Sequence, residues 1–120
     1  MTLAGFTADV RANDLEAARA FYAAALGRQP DLNPAPDMAE WILHQVPQIA
    51  LRILHTTQPP GGARIGIGVT DLATEHARLR RVLPAVPDLK VVPGVIALVE
   101  LVDPDGNLLV FWEDLLERAR

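Results

Sequence analysis

The sequence lacks two residue types on which much enzyme chemistry depends. Its 120 residues include no cysteine and no serine, and Lys90 is the only lysine. Without cysteine there can be no disulfide, thiolate nucleophile or cysteine metal site, and without serine there can be no Ser-His-Asp triad. Lys90 lies in a stretch with no sign of the apolar pocket that activates an amine nucleophile. The composition therefore argues against the common nucleophilic enzymes.

Charge and hydropathy exclude further classes of partner. The formal net charge is -4, and the only concentration of basic residues is Arg78, Arg80 and Arg81. We expect no nucleic-acid partner, because affinity for phosphates requires clustered positive charge. The N-terminus lacks a basic region followed by an apolar stretch, and the apolar run 95–99 is far below the roughly 20 residues that span a bilayer. We therefore expect no membrane partner and a cytoplasmic location.

An internal repeat organises the chain. A shift of 57 positions lays Asp14 and Leu15 over Asp71 and Leu72, and residues 30–32 over residues 87–89. Each copy begins with an alternating stretch, residues 6–11 and 64–69, which predicts a half-buried strand. Half of the residues are hydrophobic, enough for one packed domain. We predict a first module of about residues 1–57, a linker of about 58–63 and a second module of about 64–120.

Each initial strand is followed by an amphipathic helix and then by further strands. Asn13 with Glu16 forms a capping box for the first helix, which we expect to end at Gly27. Thr70 or Asp71 is the cap of the second helix, which we expect to end before Pro84. The alternation then predicts strands at 40–46 and 49–55 in the first module and at 95–102 and 108–112 in the second. The segment 103–107, Asp-Pro-Asp-Gly-Asn, is typical of a tight turn. We interpret each half as a βαβββ module, in an α+β fold.

Two motifs resemble those of a known family. The pattern Asp14-Leu15 with Phe21-Tyr22 and Leu26-Gly27, followed by residues 103–107 before a final apolar strand, resembles the glyoxalase/bleomycin resistance/dioxygenase family, the vicinal oxygen chelate superfamily. The resemblance covers nearly the whole chain. It implies two βαβββ modules whose eight strands form one curled mixed sheet around a cavity, commonly in a homodimer.

The same resemblance implies where enzymes of the family hold a divalent metal. The corresponding positions in this chain are Thr7, Arg64 and Val110, with a fourth position near Arg52 or Ile53. A threonine hydroxyl is a poor ligand, a guanidinium repels a cation and valine offers no donor. We therefore expect no metal and no other cofactor. The three histidines, His44, His55 and His76, are interpreted as packed or edge side chains rather than as replacement ligands.

Strand alternation predicts which side chains face the cavity. Glu100 determines which residues of its strand face the cavity, because burying a lone carboxylate against a helix would be costly. Arg52 is assigned to the cavity by the same reasoning. The predicted ligand-binding residues are Thr7, Asp9, Trp41, Arg52, Arg64, Glu100, Val110 and Trp112, with Leu43, Leu98 and Leu108 as further apolar walls. Gly66 and Gly68 are expected to leave the cavity open.

Two interpretations of these residues remain open. In one, Arg52 and Arg64 bind an anionic small molecule while the tryptophans provide flat apolar contact. In the other, the arginines pair with Asp9 and Glu100 and fill the cavity, giving a structural module. We favour a metal-free small-molecule-binding protein, similar to the bleomycin resistance branch, that sequesters an anionic or aromatic ligand. The alternative enzyme is a glyoxalase-like lyase or isomerase, or a dioxygenase, with a relocated metal or with Asp9 or Glu100 as general base.

Overall fold

A computed structural model describes residues 1–33 and 35–116. In chain order the elements are β1 (Gly5–Ala12), α1 (Leu15–Leu26), β2 (Met38–His44), β3 (Gln48–His55), β4 (Arg64–Gly68), α2 (Leu72–Val82), β5 (Lys90–Val92), β6 (Ile96–Val102) and β7 (Leu108–Asp114). By their contacts these elements form two compact units. Of the described residues, the first unit comprises those in 1–63 and 103–107, and the second comprises 64–102 and 108–116.

The first unit is a three-stranded sheet with α1 packed on one face. The strand order is β1-β3-β2, with β1 and β3 parallel and β2 and β3 antiparallel. Its core residues are all at most 2% exposed: Val10, Ala12, Ala18, Tyr22, Ala25, Ala39, Trp41, Ala50, Leu51 and Ile53. The small side chains of Ala18 and Ala25 let the helix approach the sheet closely, and this apolar burial is the main stabilising contribution.

The second unit is a four-stranded sheet that α2 covers on one face. The strand order is β4-β7-β6-β5, and only the β4–β7 pair is parallel. The core under α2 consists of buried residues from α2, β6 and β7: Leu72, Leu79, Ala97, Val99, Leu101, Leu109 and Phe111. Val110 is also buried, but it lies on the other face of the sheet.

The α+β class with two helices and two mixed sheets is confirmed, but the single eight-stranded sheet is not. The described residues form seven strands in two sheets. Among its described residues the first module has one strand fewer than predicted, with only an isolated bridge between Leu32 and Glu40 in the part that follows α1 and precedes β2. Pro30 and Pro36 offer no backbone N–H to a ladder there, which disfavours a longer strand. The second module has its additional strand, β5, which is only three residues long and shows no periodicity.

The helix caps follow the sequence with one correction. Asp14, not Asn13, caps α1, and its side chain accepts a hydrogen bond from the backbone N of Ala17 at 3.1 Å. The Asn13 side chain instead donates from Nδ2 to the carbonyl oxygens of Thr56, at 2.7 Å, and Gln58, at 2.9 Å. Gly27 ends α1 with φ of 77°, a conformation that glycine adopts without strain.

The turn 103–107 carries a buried polar network within the first unit. Asp103 is 4% exposed and Asn107 is 1% exposed. Asp103 Oδ2 accepts hydrogen bonds from the Tyr22 hydroxyl at 2.8 Å and from Asn107 Nδ2 at 2.9 Å, while Oδ1 accepts from the backbone N of Asp105 and of Asn107. Burial, followed by the negative charge of Asp103 and the hydrogen bond to it, raises the pKa of Tyr22 well above its ordinary value. The aromatic pair of α1 and the turn motif are therefore parts of one network.

Candidate functional site

The candidate site lies on the sheet face of the second unit opposite α2, which we call the distal face. Paired residues in neighbouring strands direct their side chains to the same side of a sheet. Register pairs Gly66 with Val110 and Val110 with Glu100, and it pairs Trp112 with both Gly68 and Leu98. These residues therefore share the distal face. Arg64, Leu108 and Lys90 join them through their own register partners.

The Trp112 indole lies over Gly66 and Gly68 of β4. A Cβ at Gly68 would lie 2.7 Å from Trp112 Cζ2 and 2.9 Å from Cη2, and a Cβ at Gly66 would lie 3.3 Å from Nε1. The indole therefore occupies the space above Gly68, and it lies close to Gly66. Because glycine has no side chain, the ring can approach the backbone of β4 closely.

A cavity of about 330 Å³ opens beside the ring. It is lined by Arg64, Gly66, Ile96, Leu98, Val110 and Trp112. The walls are apolar apart from the guanidinium of Arg64 and the indole N–H. The cavity therefore combines a flat aromatic surface with one cationic side chain.

Glu100 bridges two cations at this face. Its Oε2 accepts a hydrogen bond from Arg64 Nη1 at 2.8 Å, and its Oε1 accepts one from Lys90 Nζ at 2.7 Å. These bonds, that of Lys90 first and that of Arg64 second, lower the pKa of Glu100 below its ordinary value. The side chains of Arg64 and Lys90 are 56% and 70% exposed, whereas that of Glu100 is 25% exposed. The assignment of Glu100 to the face opposite the helix is confirmed.

A second cavity, of about 440 Å³, adjoins the other side of the Trp112 ring. It is lined by Gly68, Val69, Thr70, Trp112, Glu113 and Asp114. Glu113 Oε1 accepts a hydrogen bond from the backbone N of Leu72 at 2.8 Å, at the start of α2. The sequence analysis did not assign Glu113 and Asp114 to a site, although both directly follow the predicted last strand.

Of the four predicted site residues in the first unit, three lie together on one sheet face. Thr7 and Asp9 are opposite Ala50 and Arg52 on β3, on the sheet face away from α1. Arg52 donates to Asp9 from Nε at 2.7 Å and from Nη2 at 3.0 Å. The ion pairs that the structural-module interpretation requires, Arg52 with Asp9 and Arg64 with Glu100, are therefore both formed.

Trp41 was assigned to the wrong face. It lies opposite Leu51, which faces α1, and it is 0% exposed. Its Nε1 donates to the backbone O of Arg28 at 3.0 Å, and its ring centroid lies 6.2 Å from that of Tyr22. Trp41 is therefore a core residue of the first unit. The pairing of β2 with β3 is irregular between Ile42 and His44. Strand alternation therefore does not determine the face on which Leu43 lies.

Comparison with solved structures identifies the fold. A glyoxalase/bleomycin resistance protein from Catenulispora acidiphila DSM 44928 matches with a TM-score of 0.80 and 26% identity, over 89% of this chain and 95% of that one. The bleomycin-binding protein of bleomycin-producing Streptomyces verticillus, in complex with copper(II)-bleomycin, matches with a TM-score of 0.74 and 23% identity, over 92% and 96%. A lactoylglutathione lyase from Agrobacterium tumefaciens matches with a TM-score of 0.72 and 19% identity, over 90% and 91%.

The chain has the fold of the vicinal oxygen chelate superfamily. No protein-family model matches the sequence and no curated protein does, so this assignment rests on structural similarity that covers nearly the whole chain.

The residues at the expected metal positions of the superfamily do not fit a divalent cation. The first unit presents the hydroxyl of Thr7, while the distal face of the second presents the Arg64 guanidinium and the Val110 hydrocarbon. Within residues 1–33 and 35–116 there is no group of three or more His, Asp or Glu side chains that could hold a metal ion. Two of the histidines contact backbone carbonyl oxygens, His44 that of Pro47 at 2.9 Å and His76 that of Pro87 at 2.8 Å.

In the described part of the chain, neither helix is long and apolar enough to cross a bilayer.

Proposed function

We propose that this protein is a metal-free member of the vicinal oxygen chelate superfamily that binds an anionic or aromatic small molecule. The observation that supports the proposal is the cavity beside Trp112, with a flat indole on one side and Arg64 at its rim. Its volume of about 330 Å³ lies within the range of roughly 300–1,000 Å³ that is usual for small-molecule sites. Apolar walls with one cationic group suit an aromatic compound that carries a negative charge.

The relatives support binding in a fold of this type. The Streptomyces verticillus protein is a bleomycin-binding protein, so the superfamily includes members that hold a small molecule. We propose the same class of function here, with a ligand whose chemistry is set by Trp112 and Arg64.

Catalysis by a carboxylate general base is the less suitable alternative at this face. A general base works best when its pKa lies near the operating pH. Lys90 and Arg64 instead lower the pKa of Glu100, which makes its carboxylate a weaker base. A metal-dependent lyase or dioxygenase would in turn need ligands that Thr7, Arg64 and Val110 do not supply.

Thermal denaturation with naphthalene-2-carboxylate and with uncharged naphthalene-2-carboxamide tests the proposal. A ligand at a hundredfold its dissociation constant stabilises the folded state by about 2.7 kcal/mol. We expect stabilisation of the wild type and its loss in Trp112→Leu, whereas Glu75→Gln, which alters an ion pair on α2, leaves it unchanged. Stabilisation that persists in Trp112→Leu would place the ligand elsewhere.

The structural-module alternative makes a different prediction in the same experiment. If the ion pairs only fill space, neither aromatic compound stabilises the protein, and Arg64→Ala alone lowers stability, with partial rescue by Glu100→Ala. Elemental analysis after incubation with Ni, Zn, Mn or Fe salts tests the metal-free proposal. Metal retained in stoichiometric amount after dialysis would refute it.

We further propose a homodimer located in the cytoplasm. The proposal follows from the superfamily resemblance. Light scattering coupled to size-exclusion chromatography measures the mass in solution, and a mass of one chain of 13.0 kDa would contradict the dimer.

A further inference from the structure

The bridge formed by Arg64, Glu100 and Lys90 carries two positive charges and one negative charge. We propose that Glu100 is a specificity-determining residue that limits the ligand of the Trp112 cavity to an aromatic monoanion. The inference rests on the proposed function, because it specifies the charge of a ligand bound in the same cavity.

The first step is that Arg64 retains the capacity to bind an anion. A guanidinium has five N–H donors in a planar fork. Among the residues that the structure describes, Arg64 donates to Glu100 through Nη1, and no other side chain forms an ion pair with it. With 56% of its side chain exposed at the rim of the cavity, its remaining N–H groups can donate to a carboxylate in the bidentate geometry that arginine favours.

The second step is the position of this cation relative to the aromatic surface. Arg64 and Gly66 are two residues apart on β4, a spacing of about 6.6 Å along a strand. The Trp112 indole lies over Gly66, with Nε1 3.3 Å from the position of a Cβ there. An aromatic acid can therefore contact the indole with its ring while its carboxylate reaches Arg64.

The third step is the charge count. The sum of Arg64, Lys90 and Glu100 is +1, so one carboxylate on the ligand neutralises the cluster. A second carboxylate would add an uncompensated negative charge beside apolar walls and near the carboxylate of Glu100, which costs binding free energy. Asp114 lies on the same distal face and adds to the negative potential on the far side of Trp112. A monoanion is therefore the preferred ligand.

Replacing Glu100 by glutamine changes this count while nearly preserving the shape of the side chain. The cluster then carries +2, and a dianion becomes its matching ligand. If Glu100 instead served to position Arg64, the same replacement would weaken binding of every anion without changing their relative affinities. The ratio of two affinities therefore separates a charge-selecting role from a positioning role.

Calorimetric titration with three probes tests the proposal: naphthalene-2-carboxylate, naphthalene-2,3-dicarboxylate and naphthalene-2-carboxamide. For the wild type we expect the monoacid to bind at least about tenfold more tightly than the diacid. In Glu100→Gln we expect this ratio to fall about tenfold or more, with the affinity for the uncharged amide within about twofold of the wild type. A tenfold change corresponds to about 1.4 kcal/mol in binding free energy.

Two further variants keep the test decisive. Lys90→Gln on the edge strand β5 brings the cluster to zero charge, and we expect it to weaken binding of the monoacid severalfold but not of the amide. Glu75→Gln replaces a glutamate that pairs with Arg78 at 3.0 Å on α2, and we expect it to leave the ratio unchanged. Circular dichroism verifies that each variant is folded.

The outcomes distinguish the two proposals. An unchanged monoacid-to-diacid ratio in Glu100→Gln, with binding that still requires Trp112, overturns the specificity role of Glu100 and leaves the proposed function standing. Failure of all three probes to bind the wild type overturns the proposed function, and the inference with it.

Discussion

Removing one hydroxyl from Tyr22 tests whether the turn network stabilises the fold. Tyr22 is 0% exposed, and its hydroxyl donates to Asp103 Oδ2 at 2.8 Å. Tyr22→Phe leaves the ring in place and removes one of the four hydrogen bonds that the Asp103 carboxylate accepts. A hydrogen bond to a charged group contributes about 1.5–3 kcal/mol. We therefore expect the free energy of unfolding to fall by about 2 kcal/mol at neutral pH.

The pH dependence of this loss follows from the raised pKa of Tyr22. Below pH of about 10, the ordinary pKa of tyrosine, the hydroxyl is protonated in both the folded and the unfolded chain, and the difference between wild type and variant is constant. Above it the unfolded chain binds fewer protons than the folded one, so the wild type loses stability by about 1.4 kcal/mol per pH unit from this residue. The free energy of unfolding of Tyr22→Phe lacks this dependence on pH. A difference of about 2 kcal/mol between wild type and variant therefore vanishes about 1.5 pH units above the ordinary pKa of tyrosine.

Two measurements check the reasoning. Urea denaturation followed by circular dichroism gives the free energy of unfolding of each variant across alkaline pH. Because Tyr22 is the only tyrosine, tyrosinate absorbance reports its ionisation alone, and we expect that absorbance to rise only as the protein unfolds. Tyrosinate that forms in folded protein near the ordinary pKa of tyrosine would refute the burial argument.

A matched control separates this network from an ordinary surface contact. Thr74 Oγ1 donates to Asp71 Oδ2 at 2.7 Å, at an exposed position. Thr74→Val also removes a hydroxyl that donates to a carboxylate, but water can replace the bond. We expect it to destabilise the protein clearly less than Tyr22→Phe does, and equal losses would show that burial of the network adds nothing.

Three further predictions concern other parts of the chain. Gly68→Ala places a Cβ 2.7 Å from the Trp112 ring, so we expect a loss of about 1–3 kcal/mol in the free energy of unfolding and a shift in tryptophan emission; Gly66→Ala, at 3.3 Å, should change both far less. Asp14→Ala removes the cap of α1 and should cost about 1 kcal/mol in urea denaturation; an unchanged midpoint would contradict its role as the cap. The lowered pKa of Glu100 means that its bridge stabilises the fold above the ordinary glutamate pKa and loses this effect as pH falls through the lowered value, so the stability gap between wild type and Glu100→Gln should narrow in acid; a gap that widens would contradict the sign.

Much of the fold could be predicted because local patterns and tertiary structure agree. The alternation in residues 64–69 places Gly66 and Gly68 on one face, and β4 has that arrangement. The phase of β6 was assigned correctly because Glu100 is the only charged residue of that strand, and a carboxylate is costly to bury against a helix. A single charge was enough to distinguish two apolar faces.

The rest could not be predicted because the deciding interactions are not local. Trp41 was misplaced because apolar residues occupy both faces of β2, and its partners Leu51 and Arg28 come from other elements. The network of Tyr22 and Asp103 joins residues 81 positions apart, so no periodicity reveals it.

The distal face of the second unit depends on side chains of two neighbouring strands in combination. Val110 and Trp112 are two residues apart on β7 and share a face with Gly66 and Gly68 on the parallel neighbour β4. The indole can keep this position on β4 only where residue 68 lacks a Cβ, since alanine at 68 would overlap the ring, whereas a Cβ at 66 would lie 3.3 Å from it. Gly68 and Trp112 therefore depend on each other, and Val110 presents a hydrocarbon instead of a metal donor to the same face. The proposed preference for a flat anion over a hydrated cation rests on this indole, on the apolar wall and on Arg64, and the titrations of Trp112→Leu and Glu100→Gln test it.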